Sequence, residues 1–346
     1  MKIFVYDVDF QSSGNKYPLQ KAFQDLGHEA QMFDWQTYLY SYKAPHIINR
    51  VRDRFLFDSV AKKVNEAFTD LLSKHYYDLI LIVRGDHLYP ESIDLAKERA
   101  KVVVNWNSDD LFNKVMTTKH ILNSFTKYHL HLSARKHLQD EYLSKGAQNF
   151  EVIDWYYRPE LSFSKLQLNA INYQNDICFI GSWSKRRENI ILSLSDFQMQ
   201  LAGWGWRKKL NLNQLPKWNV QNHIRMTDMA KIFSETKINI NILTIENRDQ
   251  TNFRNFEIPA CGGFQISERS DQLLELFKED IEIVCFSSAD ELLDKCKFYL
   301  RNENARQKIA IAGYKKVTEG KNTTIDRVNT IIELIKKNIN RTAGLN

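Results

Sequence analysis

FRNFEIPACGGFQIS, from Phe253 to Ser267, is the stretch whose reading decides the fold. Arg254 and Glu257 are three apart, so on a helix they share one face. Gly262 and Gly263 supply the left-handed conformation that stops a helix tightly, and Pro259, which has no amide hydrogen, limits how long that helix can run. GGFQIS (262–267) then reads as a buried strand. A helix that stops abruptly before a buried strand belongs to an open α/β sheet. It sets one cation and one carboxylate beside the sheet's carboxyl edge, where such folds place ligands, and a carboxylate there can accept hydrogen bonds from the two hydroxyls of a ribose.

Working outward, the second half alternates. Strands are expected at DICFIG (176–181), FQMQLAGW (197–204), ININIL (238–243 and neighbours), the 262–267 run and IEIVCF (281–286). Helices are expected at about 186–195, 227–235, 271–277, 289–301, 304–318 and 324–337. The first half repeats the pattern with strands at 2–8, 29–35, 78–86, 101–107, 128–134 and 149–155. Its helices are a short one from about Tyr17 to Leu26, a long amphipathic one from about Pro45 to His75, and others around 114–127 and 135–144. Between Pro159 and Asn175 the apolar periodicity fades. The expectation is an α/β chain of two tandem Rossmann-like domains, at 1–165 and 173–340, with a tail at 341–346; the irregular spacing and central break disfavour a barrel.

Composition narrows the function classes. The chain has 346 residues, 43% hydrophobic and 26% charged, and no apolar run approaches the ~18 residues that span a bilayer. Met1-Lys2 leads straight into IFVY without a signal-like segment, so a cytoplasmic location is expected. Cys178, Cys261, Cys285 and Cys296 are unclustered and read as reduced core thiols. A net charge of +6 favours anionic ligands and falls short of a nucleic-acid footprint. The most cationic apolar segment, Lys43 to Arg54, reads as a solvated helix face or as a docking surface for a membrane or a phosphate-bearing polymer. His129 and His131 form an HxH pair without a third ligand at suitable spacing, and no metal is expected.

CFIGSWSKRRENI (178–190), LAGWGW (201–206), the 253–267 segment and IEIVCFSSADELLDKCKFYLRNENARQKIAIAGYKKV (281–317) together resemble, in this order, bacterial GT-B glycosyltransferases of the group 1 kind, particularly the CgeB-like branch. The amino-terminal half resembles them more loosely, through its first strand, LGHEAQMFDW and NWNSDD. The resemblance implies two Rossmann-like domains facing each other across a cleft, the second holding a nucleotide-sugar donor and the first presenting an acceptor. It also implies no bound cofactor or metal, since side chains and helix dipoles neutralise the diphosphate.

The candidate residues follow from both readings. Glu257 is the ribose-hydroxyl acceptor. Arg254 either contacts donor phosphates or simply pairs with Glu257. Gly181 and Ser182, between a strand and a helix, offer amides that can cradle a pyrophosphate, with Arg187 or its neighbour Arg186 as the cation. Gly203 and Trp204 either approach the base or form a turn with core tryptophans. Asp249 stands in a D-x7-E spacing before Glu257 where the similar retaining enzymes carry E-x7-E, in which the first acid contacts the transferred sugar; either it takes that role, for which Glu246 competes, or ENRDQTN (246–252) is a solvated polar loop. In the first domain, Asp7, Asp9, Gly14, Arg84-Gly85-Asp86, Asn105, Asp109 and Asp110 sit at expected carboxyl ends of strands. Asp109 and Asp110 rank first because similar family members carry an acid after a Trp there, and Asp7 follows. The implied function is transfer of a hexosyl or pentosyl group, with retention, from a nucleotide-diphosphate sugar, UDP-linked by default, to a hydroxyl of a glycan or lipid-linked acceptor, with peripheral contact at the inner membrane face. Two alternatives stand beside it: a nucleic-acid-directed protein that binds DNA or glycosylates its bases, and a catalytically silent GT-B-like module.

Overall fold

The structure is a computed structural model that describes residues 1–7, 18–38, 46–162 and 172–342, without the side chains of 46–56, 161 and 338–342. Asp9, Gly14 and the side chains of the basic stretch from Lys43 to Arg54 lie outside the described residues. The chain forms two compact units. The first comprises Met1–Asp154, Glu246–Arg248 and the chain from Ile325 onward; the second comprises Trp155–Ile245 and Asp249–Thr324.

The first unit runs β1 (Lys2–Asp7), α1 (Pro18–Asp25), β2 (Glu29–Asp34), α2 (His46–Ser73), β3 (Tyr77–Val83), α3 (Pro90–Glu98), β4 (Ala100–Trp106), α4 (Lys119–Ser124), β5 (Leu130–Ser133), α5 (Gln139–Ser144) and β6 (Phe150–Val152). Its strands form a six-stranded parallel sheet in the order β2-β1-β3-β4-β5-β6. A parallel sheet is covered on both faces, which is why DLILIV and KVVV read as unbroken apolar runs. Phe4, Tyr6, Phe33 and Phe68 pack as a buried aromatic cluster on one side of it.

The second unit runs β7 (Asn175–Ile180), α6 (Lys185–Leu192), β8 (Met199–Ala202), α7 (Trp206–Lys209), β9 (Trp218–Gln221), α8 (Met226–Ser234), β10 (Thr236–Asn241), α9 (Arg254–Ala260), β11 (Gln265–Glu268), α10 (Asp271–Leu276), β12 (Val284–Phe286), α11 (Ala289–Arg301) and α12 (Glu303–Thr318). A last helix, α13 (Thr324–Thr342), returns the chain to the first unit. The sheet order β12-β11-β10-β7-β8-β9 is the doubly wound arrangement, with the direction of winding reversing between β7 and β10. Ile177, Phe179, Leu201, Trp206, Ile238, Ile240, Ile266, Val284 and Phe286 form its core.

The α/β reading of two Rossmann-like sheets is what the structure shows, with four local corrections. Trp218–Gln221 adds a sixth strand to the second sheet, a short edge strand burying only Trp218 and Val220. Pro90–Glu98 is a helix, begun by Pro at its first turn. The helix expected around 114–127 is confined to Lys119–Ser124 and a following turn. Before it, Asn107, Asp110 and Asn113 each accept a hydrogen bond from the backbone amide two residues on, and such local bonds compete with helix formation. The 262–267 strand starts only at Gln265, because Gly262 (φ 73°) and Gly263 close α9 instead: the Gly263 amide donates to the Ile258 carbonyl at 3.1 Å.

Candidate functional site

Around α9 the second unit is built to hold one helical turn rigidly. β10 reads TKININ, so Ile238 and Ile240 face the core while Asn239 and Asn241 point to the opposite face, which is also buried. Buried amide N–H groups must find partners, and these do. Asn239 donates to the carbonyls of Phe233 and Phe264. Asn241 and Asn252 exchange two side-chain hydrogen bonds of 3.0 Å. The Ser267 hydroxyl of β11 accepts from Asn241 at 3.2 Å and from Asn255 at 3.1 Å. The Asn252 carboxamide oxygen also caps the helix by accepting from the Arg254 amide at 3.0 Å, while the Asn252 amide donates to the Asn255 side chain at 2.9 Å. The first turn of α9, which carries Arg254 and Glu257, is thereby fastened to the carboxyl ends of β10 and β11.

Arg254 and Glu257 do share a face and form an ion pair, with the Glu257 side chain only 15% exposed. The second Arg254 amino group leans on the Met229 sulfur at 3.5 Å, and its guanidinium lies over the Phe233 ring. Glu257 lines a hollow whose other walls are Met226, Met229, Ala230 and Phe233 of α8, Ala260 of α9 and Cys261 just after it, and Tyr157, Arg158 and Ser162 from the segment that opens the unit. Phe253 is clasped by Trp155 and Tyr156, with ring centroids 4.4 and 5.1 Å away, and this ties the opening segment to the start of α9.

The strand ends at the reversal point are equally committed. Gly203 (φ 142°) packs against the backbone of Gly181 so closely that a Cβ would stand 2.0 Å from the Gly181 carbonyl oxygen. Trp206, fully buried, donates from its indole to the same carbonyl at 2.7 Å. Arg187 bridges the ends of β7 and β10: it donates to the Ser182 carbonyl at 3.0 Å, the Ile242 carbonyl at 2.7 Å and the Thr244 hydroxyl at 2.9 Å. Arg186 forms an ion pair with Glu268. Ser184 caps α6 by accepting from the Arg187 amide at 3.3 Å. Trp204 is 60% exposed on the loop after β8. Asp249 closes its loop on Thr244, its amide donating to the Thr244 carbonyl at 3.1 Å and its carboxylate accepting from the Thr244 amide at 3.2 Å.

In the first unit, the described polar residues named from strand ends have the following partners. Asp7 is buried at the end of β1. Arg84, at a left-handed φ of 60°, holds Asp86 with two 2.9 Å hydrogen bonds and forms a second ion pair with Asp109. Asn105 donates to the carbonyls of Ile82 and Arg84. Asp110 is gripped in bidentate fashion by Arg248 at 2.6 and 2.8 Å, and Asn247 donates to Asp109 at 3.1 Å. The Arg248 fork holds the Asp110 carboxyl below its usual range. His131 is buried, donates from Nε2 to the Phe125 carbonyl at 2.8 Å, and is pushed down to about 4 by desolvation. All four cysteines are buried and unbridged. Among the described residues no cluster of His, Cys, Asp or Glu is arranged to hold a metal ion, and no helix is long and apolar enough to cross a membrane.

Sequence reasoning passed over Arg158, Met226 and Met229, which only the fold brings to Glu257, and Asn247 and Arg248, which it took as part of a solvated loop. It also passed over the Asn241–Asn252–Asn255–Ser267 cluster. There a signal existed: two asparagines alternating with isoleucines in a strand of a buried sheet require partners.

The fold is that of GT-B glycosyltransferases, two parallel six-stranded sheets with flanking helices. Residues 186–333 match the family described as glycosyl transferase-like. The chain is similar to sucrose-phosphate synthase from Thermosynechococcus elongatus, at 13% identity over 97% of this chain and 98% of that one, with a TM-score of 0.69. It is also similar to HepE of Anabaena, whose structure is in complex with UDP and glucose, at 12% identity over 97% and 100% of the two chains, with a TM-score of 0.62. A trehalose-6-phosphate synthase, the subject of work on glycosyltransfer with retention, is similar at 12% identity over 97% and 99%, with a TM-score of 0.64. No curated protein sequence matches the chain. The family match and the fold together support a GT-B glycosyltransferase.

Proposed function

We propose that the second unit binds a nucleotide-diphosphate sugar, UDP-linked, and that the protein transfers the sugar to a hydroxyl of a glycan or lipid-linked acceptor. The observation that carries this reading is Glu257: a carboxylate at the start of a helix clamped to the sheet's carboxyl edge, opening on a hollow with an apolar floor. That is the arrangement a nucleoside needs, since two adjacent ribose hydroxyls find an acceptor and the base finds apolar contact. The UDP-bound HepE and the retaining trehalose-6-phosphate synthase, similar in fold, agree with it.

In this mechanism Glu257 accepts from the ribose hydroxyls and Arg254, paired with it, keeps its carboxylate aimed. The Ser182 amide, with the amino terminus of α6, receives the diphosphate, the Gly181 amide being held by the Ala202 carbonyl at 2.8 Å, and Arg187 holds the two strand ends around it. Asp249 faces the transferred sugar at the D-x7-E spacing, consistent with retention. Asp109 and Asp7 line the acceptor side, and Trp204 offers a flat apolar face to donor or acceptor. No cofactor is assigned, because the donor is itself a substrate and guanidinium groups and helix dipoles stabilise the leaving diphosphate. A place within the CgeB-like branch, a cytoplasmic location and a peripheral contact with the inner membrane face complete the proposal.

A panel of nucleotide sugars screened by thermal shift should give one preferred donor. Glu257→Ala should lower its affinity or turnover at least tenfold, in line with loss of about 1.5–3 kcal/mol from charge-assisted hydrogen bonds. Unchanged kinetics would remove the reading's foundation, and an inverted anomeric coupling in the product's NMR spectrum would remove retention.

A further inference from the structure

Arg158 stands apart from the other arginines around the strand ends. Arg84, Arg186, Arg248, Arg254 and Arg269 each meet a carboxylate. Arg187 meets three oxygens. Among the described residues Arg158 reaches only the Met226 sulfur, at 3.0 Å from one terminal nitrogen. A thioether is a weak acceptor, and a guanidinium carries five N–H donors and a permanent charge. No carboxylate lies within ion-pair distance of it among the described residues, and its side chain forms part of the wall of the hollow that Glu257 opens on. Because Arg254 already cancels the Glu257 charge, Arg158 leaves that hollow with a surplus of one positive charge.

The segment that presents it is anchored. Tyr157 pairs with Thr323 and donates its amide to the Asn322 carbonyl at 2.9 Å, and Trp155 and Tyr156 clasp Phe253. Pro159 follows at once, which restricts the Arg158 backbone to the extended conformation it adopts, φ −100° and ψ 115°. A half-buried cation held at a fixed place with its donors unspent selects a multidentate anion, and phosphate oxygens match the guanidinium fork.

We propose that Arg158 is a donor-binding residue that takes phosphate oxygens of the nucleoside diphosphate, one end of which is held at Glu257. The inference rests on the donor reading of Glu257 and adds a second, charge-specific anchor from outside the sheet. The test uses the full-length protein and isothermal titration with UDP, uridine and inorganic pyrophosphate. Arg158→Met preserves the apolar stem beside Met226 and removes the charge; Arg158→Lys keeps the charge and loses the fork. Arg158→Met should weaken UDP by about ten- to a hundredfold, the range for hydrogen bonds to charged groups, and leave uridine unchanged, with Arg158→Lys in between. Equal losses for UDP and uridine, or no loss for either, overturn the proposal. So does a wild-type protein that binds pyrophosphate but not UDP. A Glu257→Ala protein that binds UDP normally sinks the donor reading instead, whatever Arg158→Met does. Thermal unfolding of each variant shows whether it is folded.

Discussion

Asn255→Ala probes whether the asparagine cluster is what holds the Glu257 turn. Asn255 is fully buried; its side chain accepts from the Asn252 amide at 2.9 Å and donates to the Ser267 hydroxyl at 3.1 Å. Truncation removes both bonds and leaves a small polar cavity. Ser267 keeps its bond from Asn241, so that side of the loss is a net hydrogen bond of about 1 kcal/mol. The Asn252 amide loses the acceptor it has in the structure, and an orphaned, partly buried donor costs about 1–3 kcal/mol. The sum is roughly 2–4 kcal/mol. For a folding unit of 150–250 residues each kcal/mol moves Tm by about 2–4 °C, which places the fall at about 5–15 °C for the second unit. Differential scanning calorimetry reads it, with Asn304→Ala, an exposed residue of α12, as a control expected within about 0.5 kcal/mol of wild type. A Tm for Asn255→Ala no lower than that of the control would show that the cluster does not brace α9, and the structural account of Glu257 placement would fall with it.

Gly203→Ala should destabilise the second unit by about 3 kcal/mol or more, because the added Cβ meets Gly181 backbone at 2.0 Å and φ 142° is a conformation L-residues rarely adopt; a variant melting with wild type refutes the close approach. Acid should act on the two units in different windows. Burial holds His87 and His131 of the first unit down at about 4, so the unfolded chain takes up their protons first: stability is full above the unfolded value near 6.5 and falls as pH drops from there towards 4. In the second unit, hydrogen bonds from Arg269, and then Lys295 and the Ser287 amide, hold Glu291 at about 2, so its contribution is present above the usual glutamate value and is lost between about 4.5 and 2. Urea titrations at stepped pH check both windows, and Glu291→Gln should flatten the lower one; a second unit that weakens first contradicts the assignment.

The alternation of apolar runs with helix signals determined, from sequence alone, that the chain makes two parallel α/β sheets, because strands buried on both faces are predominantly apolar. The 253–267 segment likewise announced its own helix, its glycine stop and the shared face of Arg254 and Glu257, since these depend on neighbours within a few residues. Short elements escaped where local preference is weak: β9 buries only two side chains, and the Asx turns of Asn107, Asp110 and Asn113 displaced a helix that periodicity favoured. Which groups meet was decided by tertiary structure. Arg187 reads as a phosphate cation in the sequence and is found bridging two strand ends; Gly203 reads as a ligand-approach glycine and is found against Gly181; Arg158 carries no signal until the chain folds it to within reach of Met226. Periodicity encodes which face of an element is buried, but the partner of a charged or polar group is set by chain segments dozens of residues away, and only the folded sheet order brings those together.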